Sequence, residues 1–418
     1  MKFASTLALA VAALAAGSPA LAAKKDAPAA AAPAAFQPQF SKPFRAAAGP
    51  VQAALKAQDA AGAKTQIDAL EAVASSPDEK FYVAQFRLSL AQMTKDTAAQ
   101  SKALDDMIAS GSAAVNETPG KYNYYSGISA YQANDYAKAA MRLKPASDAG
   151  YKADDLNIML ADASFRTGQT AQGTAAADKA IAEKKAAGQP VPEAWYRVVV
   201  SQTYKAKDYP TTNRYMRQLI SAYPTPTNWR DALVLYRDSA KLDPATATDV
   251  FRLMRAAKAL DGERDYYEYA LYVDQRGLPG EAKAVIDEGY ALGKAPRTSK
   301  ALADIYASSS SKVAADRASL ASAEKAAAAG ANGRVAANTG DAYLGYGDDA
   351  KAATLYRLAL QKGGVDVDAV NTHLGIALAR QGQAAEAKTV FSLVKGPRAE
   401  IANYWMTWLD QKAGTPAA

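Results

Sequence analysis

The chain has no cysteine and a single histidine among its 418 residues. The missing cysteines exclude disulfides, thiolate metal sites and a cysteine nucleophile, so packing alone must hold the fold together. His373 is then the sole candidate base for a Ser-His-Asp triad. It sits in a helical stretch without a nucleophile elbow and reads as an ordinary helix residue. One histidine could hold zinc only with several carboxylates, for which no spacing argues. Gly345-Tyr346-Gly347 lacks the following Gly and Lys of a phosphate loop and reads as a turn between helices. Long like-charge runs are also missing. The net charge of +7 is mild for this length, and no basic block is interleaved with aromatics, which disfavours nucleic acid. Neither a catalytic residue set nor a cofactor or metal site emerges, and an enzyme is disfavoured.

The N-terminus has its own composition. Lys2 precedes an apolar run from Phe3 to Ala16, and Ala20-Leu21-Ala22 offers a small-residue cleavage site. Residues 1–22 therefore read as a secretory signal peptide, too short to span a membrane comfortably. No cysteine follows the site, so a lipoprotein anchor is not expected. No later stretch reaches about 18 uninterrupted apolar residues, and a soluble periplasmic protein of bacterial type is the expectation, with full secretion as the alternative. Residues 23–42 are rich in Ala and Pro and read as a disordered linker.

What the chain does have is a repeat. Gly340, Tyr343, Ala352, Tyr356 and Ala359 recur as Gly375, Leu378, Ala387, Phe391 and Val394. Val370, Leu374, Ala377 and Leu378 share one face of a helix, as do Ala387, Val390, Phe391 and Val394. Gln381-Gly382-Gln383 between them predicts a tight turn and hence an antiparallel pair. Small Gly375 and Ala387 would let the backbones approach, and bulky Leu378 and Phe391 would fill the space beside the crossing. Worn copies recur upstream about every 35 residues. Their first-helix markers fall at Ala54, Leu88, Gly127, Ala161, Ser201, Leu235, Ala270 and Ile305. Ala139 and Ala282 are the matching small residues of two second helices. Lys241-Leu242-Asp243-Pro244 and Ser308–Ser311 read as breaks between helices.

This pattern resembles the tetratricopeptide repeat (TPR). The resemblance rests on Gly127, Ala139, Ala161, Ala270, Ala282, Gly340, Ala352, Tyr356, Gly375, Ala387 and Phe391. It implies an all-α, right-handed α-solenoid of about ten helix pairs over residues 43–396. Residues 397–412 (with Ile401, Tyr404, Trp405, Trp408 and Leu409 on one face) read as a capping helix, and 413–418 as a tail.

The resemblance also implies a concave groove lined by the first helices. Candidate groove residues are Tyr124, Ile128, Tyr131, Phe165, Arg166, Trp195, Tyr267, Leu271 and Asp274. The 23 tyrosines against 9 phenylalanines suit either a recognition surface or packing between repeats. The Lys/Asn pair by which some TPR grooves clamp a chaperone's C-terminal carboxylate is absent, which argues against a cytosolic-chaperone adaptor. The expectation is a non-enzymatic periplasmic scaffold that binds protein or peptide partners, in envelope assembly or export. The alternative is a glycan-binding component of polysaccharide or cell-wall assembly, with tyrosines as stacking platforms.

Overall fold

The computed structural model describes residues 36–414. The signal-peptide reading, the linker up to residue 35 and residues 415–418 lie outside the described residues. The chain divides into two units, Met1–Gln202 and Thr203–Ala418.

In the first unit α1 (Lys42–Lys56) pairs with α2 (Ala60–Val73), and α3 (Pro77–Met93) with α4 (Thr97–Ala109). A 3₁₀ turn, Ala113–Asn116, leads to α5 (Lys121–Gln132), which pairs with α6 (Tyr136–Asp148). The pair α7 (Leu156–Arg166) and α8 (Thr170–Ala186) follows, and α9 (Glu193–Lys205) runs into the second unit. That unit holds α10 (Tyr209–Ala222), α11 (Pro226–Ala240), α12 (Pro244–Ala256), α13 (Gly262–Gln275) and α14 (Pro279–Ala291). It continues with α15 (Lys300–Ala329), α16 (Arg334–Tyr346), α17 (Asp349–Lys362), α18 (Val367–Arg380), α19 (Ala384–Phe391) and α20 (Ala399–Gly414). The described residues hold no strand, and in each unit antiparallel pairs stack in chain order, the α-solenoid arrangement.

The turns inside the pairs share one device. A residue with positive φ ends the first helix: Gln58, Lys95, Asn134, Lys207, Gly347 and Gly382 all do so. An aspartate follows in five of these turns, and its carboxylate accepts the N–H of the residue three further on: Asp59, Asp96, Asp135, Asp208 and Asp348. Each turn thus ends one helix and caps the next. Pro50 lies inside α1 directly after Gly49, which has no Cβ to meet the proline ring.

Within the pairs, small residues sit under large ones as expected. A Cβ on Gly340 would lie 2.7 Å from the Tyr356 ring, and one on Gly375 2.5 Å from that of Phe391. Gly127 meets Leu143 in the same way, at 2.6 Å. Ala139, Ala161, Ala270, Ala282, Ala352 and Ala387 are all fully buried.

Three expectations need correction. Ser308–Ser311 is no break: α15 is one helix of 30 residues, with neither Gly nor Pro inside it. Two of its serines bond in ways that keep the helical frame, Ser309 donating to Asp274 of α13 at 2.9 Å and Ser311 to the Ser308 carbonyl at 2.8 Å. The repeat near Ile305 is therefore a single long helix rather than a pair. Residues 36–41, placed by sequence in a disordered linker, lie against α3, because carboxylates there take their main-chain N–H groups. Finally, α20 does more than cap. Trp405 stacks on Phe391 of α19 (6.0 Å), while Tyr404 inserts beside Trp229 and Tyr236 of α11. Gln411 bonds the Ile220 carbonyl of α10 at 2.7 Å, and Tyr236 donates to the Pro397 carbonyl at 3.0 Å. The last helix returns to an element 191 residues earlier.

Gly375→Val tests the crossing. The added methyl groups would enter the Phe391 ring, and overpacking of this kind costs about 1–3 kcal/mol. Urea unfolding followed by tryptophan fluorescence is expected to show that loss, since three of the four tryptophans (Trp229, Trp405 and Trp408) lie in the second unit.

Candidate functional site

Two sites come forward, one in each unit. In the first, the chain lays a non-helical segment of its own, residues 36–41, against α3 and the turn before α5. The Phe36 N–H donates to Glu117 Oε1 (3.1 Å), Gln39 N–H to Asp78 Oδ2 (3.0 Å) and Ser41 N–H to Glu79 Oε1 (2.6 Å). Phe40 stacks on Phe44 at 5.3 Å and meets Tyr82 edge-on at 4.9 Å. Phe36 packs on the cluster of Phe81, Leu88 and Met107. The aromatic row continues from Phe81 to Tyr122 at 5.5 Å. Tyr82, Tyr122 and Tyr125 remain half-buried. Glu79 is fully buried; burial pushes its pKa up, but N–H donors from Ser41, Ser75 and Ser76 outweigh this and bring it to about 2. It is a fixed anion for main-chain N–H groups.

The candidate groove residues divide. Tyr124, Ile128, Phe165 and Trp195 are buried, and this corrects their assignment to an open groove. Their role is packing: the Tyr124 hydroxyl donates to Asp155 (2.6 Å), and Phe165 lies over Gly173. Tyr131 is half-buried and donates to Asp162, which also accepts Arg166 Nε at 2.7 Å. Arg166 is exposed, its guanidinium 4.5 Å from the Tyr136 ring centre. Tyr124 and Tyr131 both tie α5 to acids of the next first helix or its start, so these tyrosines bind neighbouring repeats together. In the second unit Tyr267, Leu271 and Asp274 share a half-buried face of α13, and Asp274 accepts Ser309. A groove of about 960 Å³ between α2, α3 and α4 is lined by Lys64, Asp68, Lys102 and Asp106, which already pair with one another.

The second unit encloses a polar hub that sequence reasoning missed. Asp249 of α12 is fully buried. Its Oδ1 faces His373 Nε2 of α18 at 3.0 Å and Arg252 Nη1 at 3.1 Å, and its Oδ2 takes Arg398 Nε at 3.0 Å. Arg252 turns its other edge on Glu281 of α14, in a two-point contact at 2.9 and 2.7 Å, and Tyr269 of α13 donates to the same carboxylate at 2.7 Å. Across the ring, His373 Nδ1 lies 2.7 Å from Asp341 Oδ1 of α16. Asp341 also accepts Tyr356 of α17 (2.7 Å) and Arg276 of α13 (3.0 Å). Burial pushes the Asp249 and Asp341 carboxyls up, but His373 and the arginines overcome this and hold both well below the usual carboxylate range. Arg252 likewise brings Glu281 to about 2 against its burial.

His373 is therefore no ordinary helix residue. Both of its nitrogens face carboxylate oxygens, so neither is turned toward a hydroxyl nucleophile. The readable signals were Asp249 and Arg252 one turn apart beside Val250, Phe251 and Leu253, and His373 amid Leu374, Ile376 and Leu378. Their meeting, 124 residues apart, carries no local signature.

Arg252→Met would leave two buried carboxylates short of a partner. Breaking such a pair costs about 3–5 kcal/mol. Lys300→Ala breaks an exposed pair, with side chains 86% and 64% accessible, and is expected to cost under about 1 kcal/mol. Parallel urea titrations of the two variants check the contrast.

No protein-family model and no curated protein matches this chain. Solved structures similar to it are TPR proteins. One, from Parabacteroides merdae, is 10% identical over 72% of this chain and 99% of its own, at a TM-score of 0.29. The C-terminal part of a TPR repeat-containing protein from Cytophaga hutchinsonii is 16% identical over 63% and 98%, at 0.30. The P58(IPK) TPR domain is 10% identical over 90% and 99%, at 0.25. Scores this low carry no weight of their own; the repeat fold rests on this chain's helix pairs and their small-over-large crossings.

Proposed function

We propose that this protein is an exported, non-enzymatic scaffold of the bacterial envelope that binds protein or peptide partners on the first helices of its repeats. The observation that carries this reading is residues 36–41. This non-helical stretch lies against α3 and the turn before α5, with three main-chain N–H groups accepted by the carboxylates of Asp78, Glu79 and Glu117 and aromatic rings seated beside Phe81 and Tyr82. Main-chain recognition of this kind tolerates many sequences, and the aromatic contacts select among them. Tyr122 and Tyr125 extend the same aromatic row beyond the bound stretch.

The leader-like composition of residues 1–22 supports export to the periplasm. No helix among the described residues is long and apolar enough to cross a membrane. The many tyrosine–carboxylate bonds weigh against tyrosines as free stacking platforms, and so against the glycan reading.

The test is crosslinking in the cell from Tyr125 and Tyr267, each replaced in turn by a photo-reactive residue. Recurrent capture of one protein, strongest from Tyr125, is expected. A folded, exported chain that captures no protein, yet shifts its tyrosine and tryptophan fluorescence with an envelope glycan, would overturn the proposal.

A further inference from the structure

The proton count around His373 has a consequence for the whole second unit. Its two nitrogens face carboxylate oxygens of Asp249 at 3.0 Å and Asp341 at 2.7 Å. A neutral imidazole has one N–H and one bare nitrogen. It can satisfy one carboxylate, and then aims a lone pair at the other. Only the imidazolium satisfies both. The ring belongs to α18 and its partners to α12 and α16, while Arg398, in the turn that leads into α20, binds the far oxygen of Asp249.

We propose that His373 is a protonation-operated clasp: as the imidazolium it holds α18, and through the shared Asp249 the start of α20, against α12, and loss of one proton opens it. Nothing else in the hub can play this part near neutral pH. Asp249 of α12, Asp341 of α16 and the Tyr356 ring of α17 face the imidazole, and behind them stand Arg252 of α12, Tyr269 and Arg276 of α13, Glu281 of α14 and Arg398. Arginines do not lose their protons in proteins. Burial pushes the Tyr269 and Tyr356 hydroxyls above their ordinary value, while the carboxylates sit below theirs. Within the hub, the imidazole alone is left to titrate between about pH 4 and pH 10.

The direction follows from its surroundings. Burial by itself lowers the pKa of the ring, but Asp341 and Asp249 reverse this and leave it above its ordinary value. A group whose folded pKa is raised contributes its full stability below the unfolded value of about 6.5, and loses it as pH rises through the folded one. The clasp is closed in mild acid and opens on the alkaline side. Strong acid opens it a second time, once pH falls through the depressed values of the two aspartates.

The experiment is hydrogen exchange read by mass spectrometry on the full chain from about pH 6 to pH 9.5, corrected for the chemical exchange rate. In the wild type, protection of α12, α18 and α20 is expected to fall as pH rises, while α3 and α5 stay level. His373→Gln cannot donate from both sides and does not titrate, so its protection should be low and flat across the range. The wild-type step, with α3 and α5 as internal reference, tests the clasp even where H373Q folds poorly. Level wild-type protection in α18, or the same step in folded H373Q, would overturn it.

Discussion

Burying charge is the constraint on which the second unit turns. Asp249, Arg252, Glu281 and His373 are all nearly or wholly withdrawn from solvent. An isolated charge in such a place is prohibitively costly, so each must meet an opposite charge and have its hydrogen bonds filled. Here the carboxylates of Asp249, Glu281 and Asp341 are filled on both oxygens, by partners drawn from α12, α13, α17, α18 and the turn before α20. Apolar residues of equal volume could stabilise the same space. What the ionic hub adds is register: a helix displaced by one turn would strand a charge, whereas a greasy contact would slide. Because Asp249 and His373 belong to repeats far apart in the chain, the hub makes a linear stack of pairs cooperate, where each pair would otherwise answer only to its neighbours.

The first unit solves its joints differently. Tyrosine hydroxyls reach from one first helix to an acid at the next: Tyr124 to Asp155 and Tyr131 to Asp162. The rings fill the gap between repeats and the hydroxyls end on carboxylates. That leaves the aromatic row of Phe81, Tyr82 and Tyr122 beside a face where an extended chain can lie, and residues 36–41 do so. One repeat pattern thus gives an aromatic face in one unit and a filled ionic interior in the other.

Legibility in the sequence follows the range of the interaction. Gly340 with Tyr356 and Gly375 with Phe391 are local pairs inside one helical hairpin, and their spacing alone foretold the crossing. The break at Lys241–Pro244 was equally local: Lys241 takes a left-handed backbone and Asp243 caps α12. The turn device of a positive-φ residue followed by aspartate was written at Gln58-Asp59, Lys95-Asp96 and Asn134-Asp135, but went unread because the first residue is not glycine. Ser308–Ser311 misled because serine competes with helix only where its hydroxyl lacks a better partner, and Asp274 supplies one. Groove residues carried over from the family resemblance fared unevenly, since Tyr124 and Phe165 turn into the packing between helices. The charged members of the hub were visible, but their meeting was not, because nothing near His373 in the chain announces two aspartates on other helices.

The most direct measurement uses the fact that this chain has one histidine. Nitrogen-15 NMR of the full protein with labelled histidine yields one imidazole, assigned without ambiguity. If the hub holds this ring between two carboxylates, both nitrogens will show the shifts of a protonated imidazolium at about pH 7, above the ordinary midpoint of histidine. One protonated and one bare nitrogen at that pH would contradict the account, because a neutral ring cannot join Asp249 to Asp341.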